Sequence, residues 1–143
     1  MTDATGSRFA DSSLDGRVIR SAGVLHVALG GGFGIGAVWA LAHLARHGEL
    51  PMTPWGFRAL GGGPFEQLSP GPFTALAWSL VVVSALDILA GIWLLQGRRR
   101  GLRLGLATAA PTFGISVGFA LPFLLVGVPI RLALMVAGRR RLR

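Results

Sequence analysis

Four residues that can bind ions or take part in proton transfer interrupt the long apolar stretches of this sequence: His26, Asp87, Thr108 and Arg131. An imidazole, a carboxylate, a hydroxyl and a guanidinium could together relay protons, hold a small ion or bind a polar head group. Burying a charged group costs free energy unless the group is paired. We therefore expect Asp87 and Arg131 to pair, with His26 and Thr108 completing their hydrogen bonds.

The stretches that must position these residues are long and almost free of charge. Ser21 to Ala45 contains no Asp, Glu, Lys or Arg, Phe73 to Gln96 contains only Asp87, and Leu104 to Ala137 contains only Arg131. A helix that spans a bilayer needs about 20 predominantly apolar residues. Charged residues are 14% of the chain, against about 25% in soluble domains. The sequence therefore predicts an all-α, integral membrane protein.

Length and charge together predict a four-helix bundle with both termini in the cytoplasm. The third apolar stretch is too long for one span, so we expect a hairpin that turns between Gly118 and Pro122. One span over 102–127 followed by an interfacial segment from Pro129 is the alternative. With four spans, the predicted organisation is a polar tail (1–20), spans near 21–45, 73–96, 102–118 and 121–138, an outer loop (46–72) and a basic tail (139–143).

Arginine placement favours four spans over three. Basic residues accumulate on the cytoplasmic side of membrane proteins. Four spans with the N-terminus inside leave only Arg46 and Arg58 outside, whereas three spans would place the last four arginines outside. The cytoplasmic arginines would be Arg8, Arg17, Arg20, Arg98, Arg99, Arg100, Arg103, Arg139, Arg140, Arg141 and Arg143.

The four polar residues fall at similar depths in the predicted bundle, about 9–13 Å from its cytoplasmic end at 1.5 Å per residue. Small residues share the helix faces of His26 and Asp87, which indicates that both point into the bundle. Three interpretations stay open. The cluster fixes helix register, or it forms a proton or ion relay or a head-group site, or Arg131 reaches the interface and no cluster exists. The absence of acidic residues from the outer half of the helices argues against a pump.

Glycines at intervals of four predict close helix packing, within the bundle or between protomers. A break in the first helix that exposes backbone carbonyls is the alternative interpretation. The predicted packing glycines are Gly30, Gly32, Gly34, Gly36, Gly91, Gly114 and Gly118.

The remaining features concern surfaces. Two arginine clusters are expected to bind anionic lipid head groups: Arg98, Arg99, Arg100, Arg139, Arg140 and Arg141. His43 and His47 are four residues apart, which suits a metal, but interfacial histidines are the simpler interpretation. No metal, cofactor or nucleic acid is expected, since the chain has no Cys and its charges flank apolar stretches. Trp55, Phe57 and Phe65 are expected to press the outer loop onto the membrane surface.

The outline of the chain resembles uncharacterised small four-helix membrane proteins of high-GC bacteria, and loosely the DoxX-like group. The resemblance rests on the Gly-rich first span, the Arg-rich turn, the final apolar hairpin and the loop strings 55–58 and 63–66. It covers the whole chain by architecture only, so it assigns no functional residue. It implies a multi-pass protein of the bacterial inner membrane.

These patterns predict a non-enzymatic scaffold or accessory subunit. Its expected partners are the lipid bilayer, anionic lipids and either further copies of itself or another membrane protein. The alternatives are a small transporter or ion-conducting protein that uses the Asp/His/Arg cluster, and an accessory protein of membrane redox chemistry. An enzyme is least expected, since no catalytic set is apparent.

Overall fold

The computed structural model describes the backbone of residues 4–139 and the side chains of residues 16–139. This part of the chain is all-helical and contains no β-strand, which confirms the predicted all-α class. A short 3-10 helix lies in the loop before the second α-helix. The α-helices are α1 (Ala4–His47), α2 (Pro70–Leu95), α3 (Arg99–Gly118) and α4 (Pro122–Gly138).

Helix boundaries lie close to the predicted spans except at the start. Helices α2, α3 and α4 begin and end within three residues of the expected positions. Helix α1 instead begins at Ala4, so it includes most of the expected polar tail. The segment before residue 21 contains no proline, and each residue added to an existing helix gains a backbone hydrogen bond. Helix α1 is also continuous through its glycines, so the alternative interpretation of a break in the first helix is not observed.

The final apolar stretch folds as a hairpin rather than as one long helix. The amide of Leu121 donates to the carbonyl of Ser116 at 2.8 Å, and the amide of Ala120 donates to Val117 at 3.2 Å. These two bonds form a Schellman cap, with Ala120 in the left-handed region at a φ of 49°. Pro122 then begins α4 with the φ that a first helical turn requires.

The helices form a closed ring in chain order. Helix α1 contacts α2, α2 contacts α3, α3 contacts α4, and α4 returns to contact α1. Gly138 of α4 lies against Ile19 of α1, and Gly127 lies against Leu29. Helices α2 and α4 are therefore diagonal to each other across the bundle axis, which is where a long side chain can bridge them.

Charge is segregated between the two ends of the bundle. One end, the basic end, combines the early part of α1, the α2–α3 turn and the last turn of α4; its described arginines are Arg17, Arg20, Arg98, Arg99, Arg100, Arg103 and Arg139. Among residues 16–139, whose side chains are described, no acidic residue lies there; Asp11 and Asp15 belong to the preceding turns of α1. At the opposite end, the loop end, Arg46 and Arg58 are balanced by Glu49 and Glu66.

The loop between α1 and α2 folds onto the loop end of the bundle. Phe119 is buried and meets the rings of Phe65 and Phe73 edge to face, with centroids 5.1 and 5.5 Å apart. Phe65 therefore packs inward rather than onto a surface. Trp55 and Phe57 are exposed and stack on each other with centroids 6.3 Å apart. Glu66 ties the loop together by accepting bonds from Arg58 and from the Gly62 amide.

Two segments are long and apolar enough, by length and composition, to cross a membrane: Gly16–His47 with 32 residues and Pro70–Leu95 with 26. Pro122–Gly138 is a shorter apolar helix. Helix α3 has 20 residues, and its first turn carries Arg99 and Arg100. The apolar part of α3 is therefore shorter than the helix itself.

Candidate functional site

A buried ion pair crosses the diagonal of the bundle. Arg131 of α4 donates from Nη1 to Oδ2 of Asp87 on α2 at 2.6 Å, and the two side chains are 0% and 3% exposed. Opposite charges that share a short hydrogen bond in an apolar interior attract strongly, although both have lost their hydration. The structure thus brings together the acidic and basic residues that the sequence had placed at similar depth.

Helix α3 supplies hydroxyl groups to the same carboxylate. Thr108 donates to Oδ1 of Asp87 at 2.7 Å, while its distance to the carbonyl of Gly105 is 3.3 Å. Thr112 lies 3.5 Å from Oδ2 of Asp87 but 2.6 Å from the carbonyl of Thr108. A hydroxyl has one proton to donate, and the shorter contact is the stronger bond. Thr108 is therefore the hydroxyl donor to Asp87.

Ser116 extends these hydroxyls into a ladder along α3. Thr108, Thr112 and Ser116 are four residues apart and all buried, and Ser116 donates to the carbonyl of Thr112 at 2.5 Å. Residues at that spacing share one helix face. Over eight residues the ladder rises about 12 Å from the ion pair towards the loop end. Thr112 and Ser116 were not among the predicted site residues, although their spacing from Thr108 was a readable signal.

His26 enters the cluster from α1. Its Nδ1 lies 2.8 Å from the carbonyl oxygen of Ala22, and because a carbonyl only accepts, Nδ1 is the protonated nitrogen. The residue is 0% exposed. A Cβ built on Gly105 of α3 would lie 3.0 Å from Nε2 of His26. His26 is also close enough to Asp87 and Arg131 to interact electrostatically with both.

Three buried nitrogens of this cluster have no hydrogen-bond partner among the described residues. They are Nε2 of His26 and the Nε and Nη2 of Arg131. An unsatisfied buried donor or acceptor costs about 1–3 kcal/mol. The ion pair therefore satisfies Asp87 more completely than it satisfies Arg131.

The predicted packing glycines divide into two groups. Gly30 and Gly34 of α1 lie against Ser84 of α2, and Gly91 lies against Gly23 and His26. Gly118 is in contact with the ring of Phe65. In contrast, Cβ atoms built on Gly32, Gly36 and Gly114 would meet nothing within 4 Å. Their helical positions turn them away from the bundle axis, so intramolecular packing does not explain them.

The predicted lipid-binding arginines lie at the basic end. Arg98, Arg99 and Arg100 surround one surface depression together with Arg103, and Arg139 is exposed at the end of α4. Arg140 and Arg141 lie outside the described residues. At the loop end, the rings of His43 and His47 stack with centroids 4.1 Å apart. Among residues 16–139 no group of three His, Cys, Asp or Glu side chains is placed to hold a metal ion.

Comparison of the chain with family models, with curated proteins and with solved structures gives no match. Function must therefore be argued from the chain's own residues. Chemically, the cluster offers a fixed ion pair, a row of buried hydroxyls that donate to Asp87 or to carbonyls of α3, and an imidazole whose Nε2 has no partner among the described residues.

Proposed function

We propose that this chain is a multi-pass protein of a bacterial inner membrane that acts as a non-enzymatic scaffold or accessory subunit. The observation that carries the membrane setting is the reversed distribution of polarity. The ion pair and the hydroxyl ladder are buried, whereas Ile35 and Phe123 are each 74% exposed and Val126 is 62% exposed. Soluble proteins rarely expose contiguous apolar surface on this scale, while lipid tails solvate it well.

The charge segregation supports four spans with both termini in the cytoplasm. Among residues 16–139, every arginine other than the buried Arg131 lies at the basic end except Arg46 and Arg58, and Glu49 and Glu66 balance those two at the loop end. Loops rich in arginine stay on the cytoplasmic side.

A reporter fused to the C-terminus, active only in the cytoplasm, is expected to be active. A second reporter, active only on the opposite side of the membrane, is expected to be active when it is inserted after Gly62, in the loop between α1 and α2. If only one of the two reporters were active, both sites would lie on the same side of the membrane and the four-span arrangement would be wrong.

The scaffold role is supported by the face that α1 presents outside its own bundle. Gly32 and Gly36 have open space above them and border an apolar cavity of about 490 Å³. Trp39, Trp55 and Phe123 also line that cavity. Small residues let membrane helices approach closely, so this face suits a helix of a partner or of a second copy.

Replacing Gly32 and Gly36 with leucine is expected to abolish association at this face while the monomer still folds, since the cavity beside them, walled by the chain's own loop and the start of α4, has room for the added side chains. Native mass spectrometry and cross-linking in mild detergent measure the association. Gly114→Leu is the matched control, because Gly114 is equally open but lies on α3. A wild-type protein that is strictly monomeric and free of partners would count against the scaffold role.

The hydroxyl ladder favours a second candidate function, conduction of protons. Thr108, Thr112 and Ser116 extend the polar interior from Asp87 towards the loop end, where no acidic residue is buried among the described residues. Each of these hydroxyls donates to the carboxylate or to a carbonyl of α3 and keeps free acceptor capacity, so a relay along this face needs waters that bridge successive hydroxyls.

In proteoliposomes, Asp87→Asn is expected to abolish proton flux and Ser116→Ala to reduce it several-fold, with helicity retained. Ser79→Ala is the control, since Ser79 also bonds to its own helix but is exposed on α2. Flux indistinguishable from protein-free liposomes in the wild type would eliminate this candidate and leave the scaffold role.

A further inference from the structure

We propose that Arg131 and His26 hold one water molecule between them inside the bundle, and that this water joins α1 to the ion pair. Nothing in the proposed scaffold role requires such a site. The proposal rests on the positions and hydrogen-bonding capacities of the three buried nitrogens that lack partners in the described part of the chain.

The free nitrogens of Arg131 and His26 have complementary hydrogen-bond polarity. Nε and Nη2 of Arg131 can only donate, because a guanidinium has no acceptor. The Nδ1 of His26 donates to Ala22, so in the neutral ring Nε2 carries a lone pair and can only accept. A molecule that satisfies both residues must accept from the arginine and donate to the histidine. Water has both capacities.

The charges of the ion pair favour a neutral molecule beside it. The Asp87 carboxylate and the Arg131 guanidinium cancel each other at 2.6 Å. A bound anion or cation would leave a net charge among buried apolar residues, which is costly unless it is paired. A neutral molecule adds no such cost.

Gly105 fixes where Nε2 of His26 lies. A Cβ on Gly105 would lie 3.0 Å from Nε2 of His26 and 2.9 Å from Sδ of Met135, which is one turn beyond Arg131 on α4. Both distances are too short for a carbon contact, so the missing side chain of Gly105 is what lets Nε2 come close to α3 beside α4. Nε2 therefore faces the part of the bundle from which Arg131 reaches Asp87.

Arg131 and His26 together offer enough polar partners for a buried water. A buried water needs two to four polar partners. Arg131 offers two nitrogens and His26 offers one, and both side chains are 0% exposed. With the water in place, one hydrogen-bonded chain runs from Thr108 through Asp87, Arg131 and the water to His26, so every helix of the bundle contributes a member.

The test uses the full chain in lipid nanodiscs with ¹⁵N-labelled histidine. His43→Gln and His47→Gln leave His26 as the single histidine without touching the cluster. Solid-state NMR is expected to show the neutral ring protonated at Nδ1, an Nε2 resonance shifted upfield by an accepted hydrogen bond, and magnetisation transfer from water to Nε2. In His26→Gln, which keeps an acceptor, transfer from water to the Arg131 side chain is expected to persist; in His26→Leu it is expected to be lost.

Two results would overturn the proposal. One is a His26 ring whose Nε2 accepts directly from Arg131 with no transfer from water. The other is density for a larger molecule, or for none, at that position in an experimental structure that resolves ordered waters. Wild-type His26 is the probe in the main measurement, so a variant that fails to fold does not affect it.

Discussion

Asp87→Leu is expected to lower the free energy of unfolding by about 3–5 kcal/mol, because it leaves the guanidinium of Arg131 buried without a counter-charge. Arg131 is 0% exposed, so the charge cannot reach water without a rearrangement of α4. The bond that Thr108 donates to the carboxylate is lost as well. Unfolding in mixed micelles by titration with SDS, followed by circular dichroism, measures the change.

The double variant Asp87→Leu, Arg131→Met provides the decisive comparison. Removing both charges together eliminates the cost of desolvating them, and buried pairs replaced in this way are often neutral or stabilising. We expect the double variant to be more stable than either single variant. If the loss of unfolding free energy in the double variant equalled the sum of the losses in the two single variants, the two residues would not act as a pair.

Gly91→Ala is expected to destabilise the bundle by about 1–3 kcal/mol through overpacking. The new Cβ would lie 2.7 Å from the carbonyl oxygen of Gly23 and 2.9 Å from Cβ of His26. Neither neighbour can move freely, since one is helix backbone and the other is a fully buried side chain. Helices α1 and α2 must separate, and His26 must shift with them. The same SDS titration measures the effect.

Gly114→Ala is the matched control for this substitution. It makes the same chemical change in a helix, but nothing lies within 4 Å of the added atom. Because alanine is the better helix former by about 1 kcal/mol, we expect Gly114→Ala to be neutral or stabilising. If Gly91→Ala and Gly114→Ala lowered the free energy of unfolding equally, α1 and α2 would not be in close contact at Gly91.

The fold was predictable because its signals are local and redundant. Each apolar stretch is bounded by Gly, Pro or Arg, and these residues do stop or start helices at Gly97 and Pro122. The extension of α1 through the residues before 21 was not predictable from hydropathy, since the segment that it adds is polar. The residue with a positive φ after α3 is Ala120. The sequence does not indicate this, because a glycine, such as the nearby Gly118, is the residue expected in the left-handed region.

The candidate site was predictable only in part. Asp87 and Arg131 could be paired from their depth, since an unpaired charge in an apolar stretch needs a partner. Thr112 and Ser116 are uncharged, so they do not need a charged partner and that argument did not identify them. The only signal for them in the sequence is that they share a helix face with Thr108. Whether a glycine faces the bundle or its surroundings depends on helix rotation. Gly34 and Gly36 differ by two residues and have opposite environments.

The diagonal ion pair has a consequence for how this protein is made. Asp87 and Arg131 are 44 residues apart, and Arg131 lies in α4, which leaves the ribosome after α1, α2 and α3. At about 5–20 residues per second, the carboxylate must wait roughly 2–9 s for its partner. During that interval α1 and α2 can already have met through Gly23 and Gly91. A chain that stops short of α4 leaves Asp87 without its counter-charge, and a buried charge is costly unless it is paired.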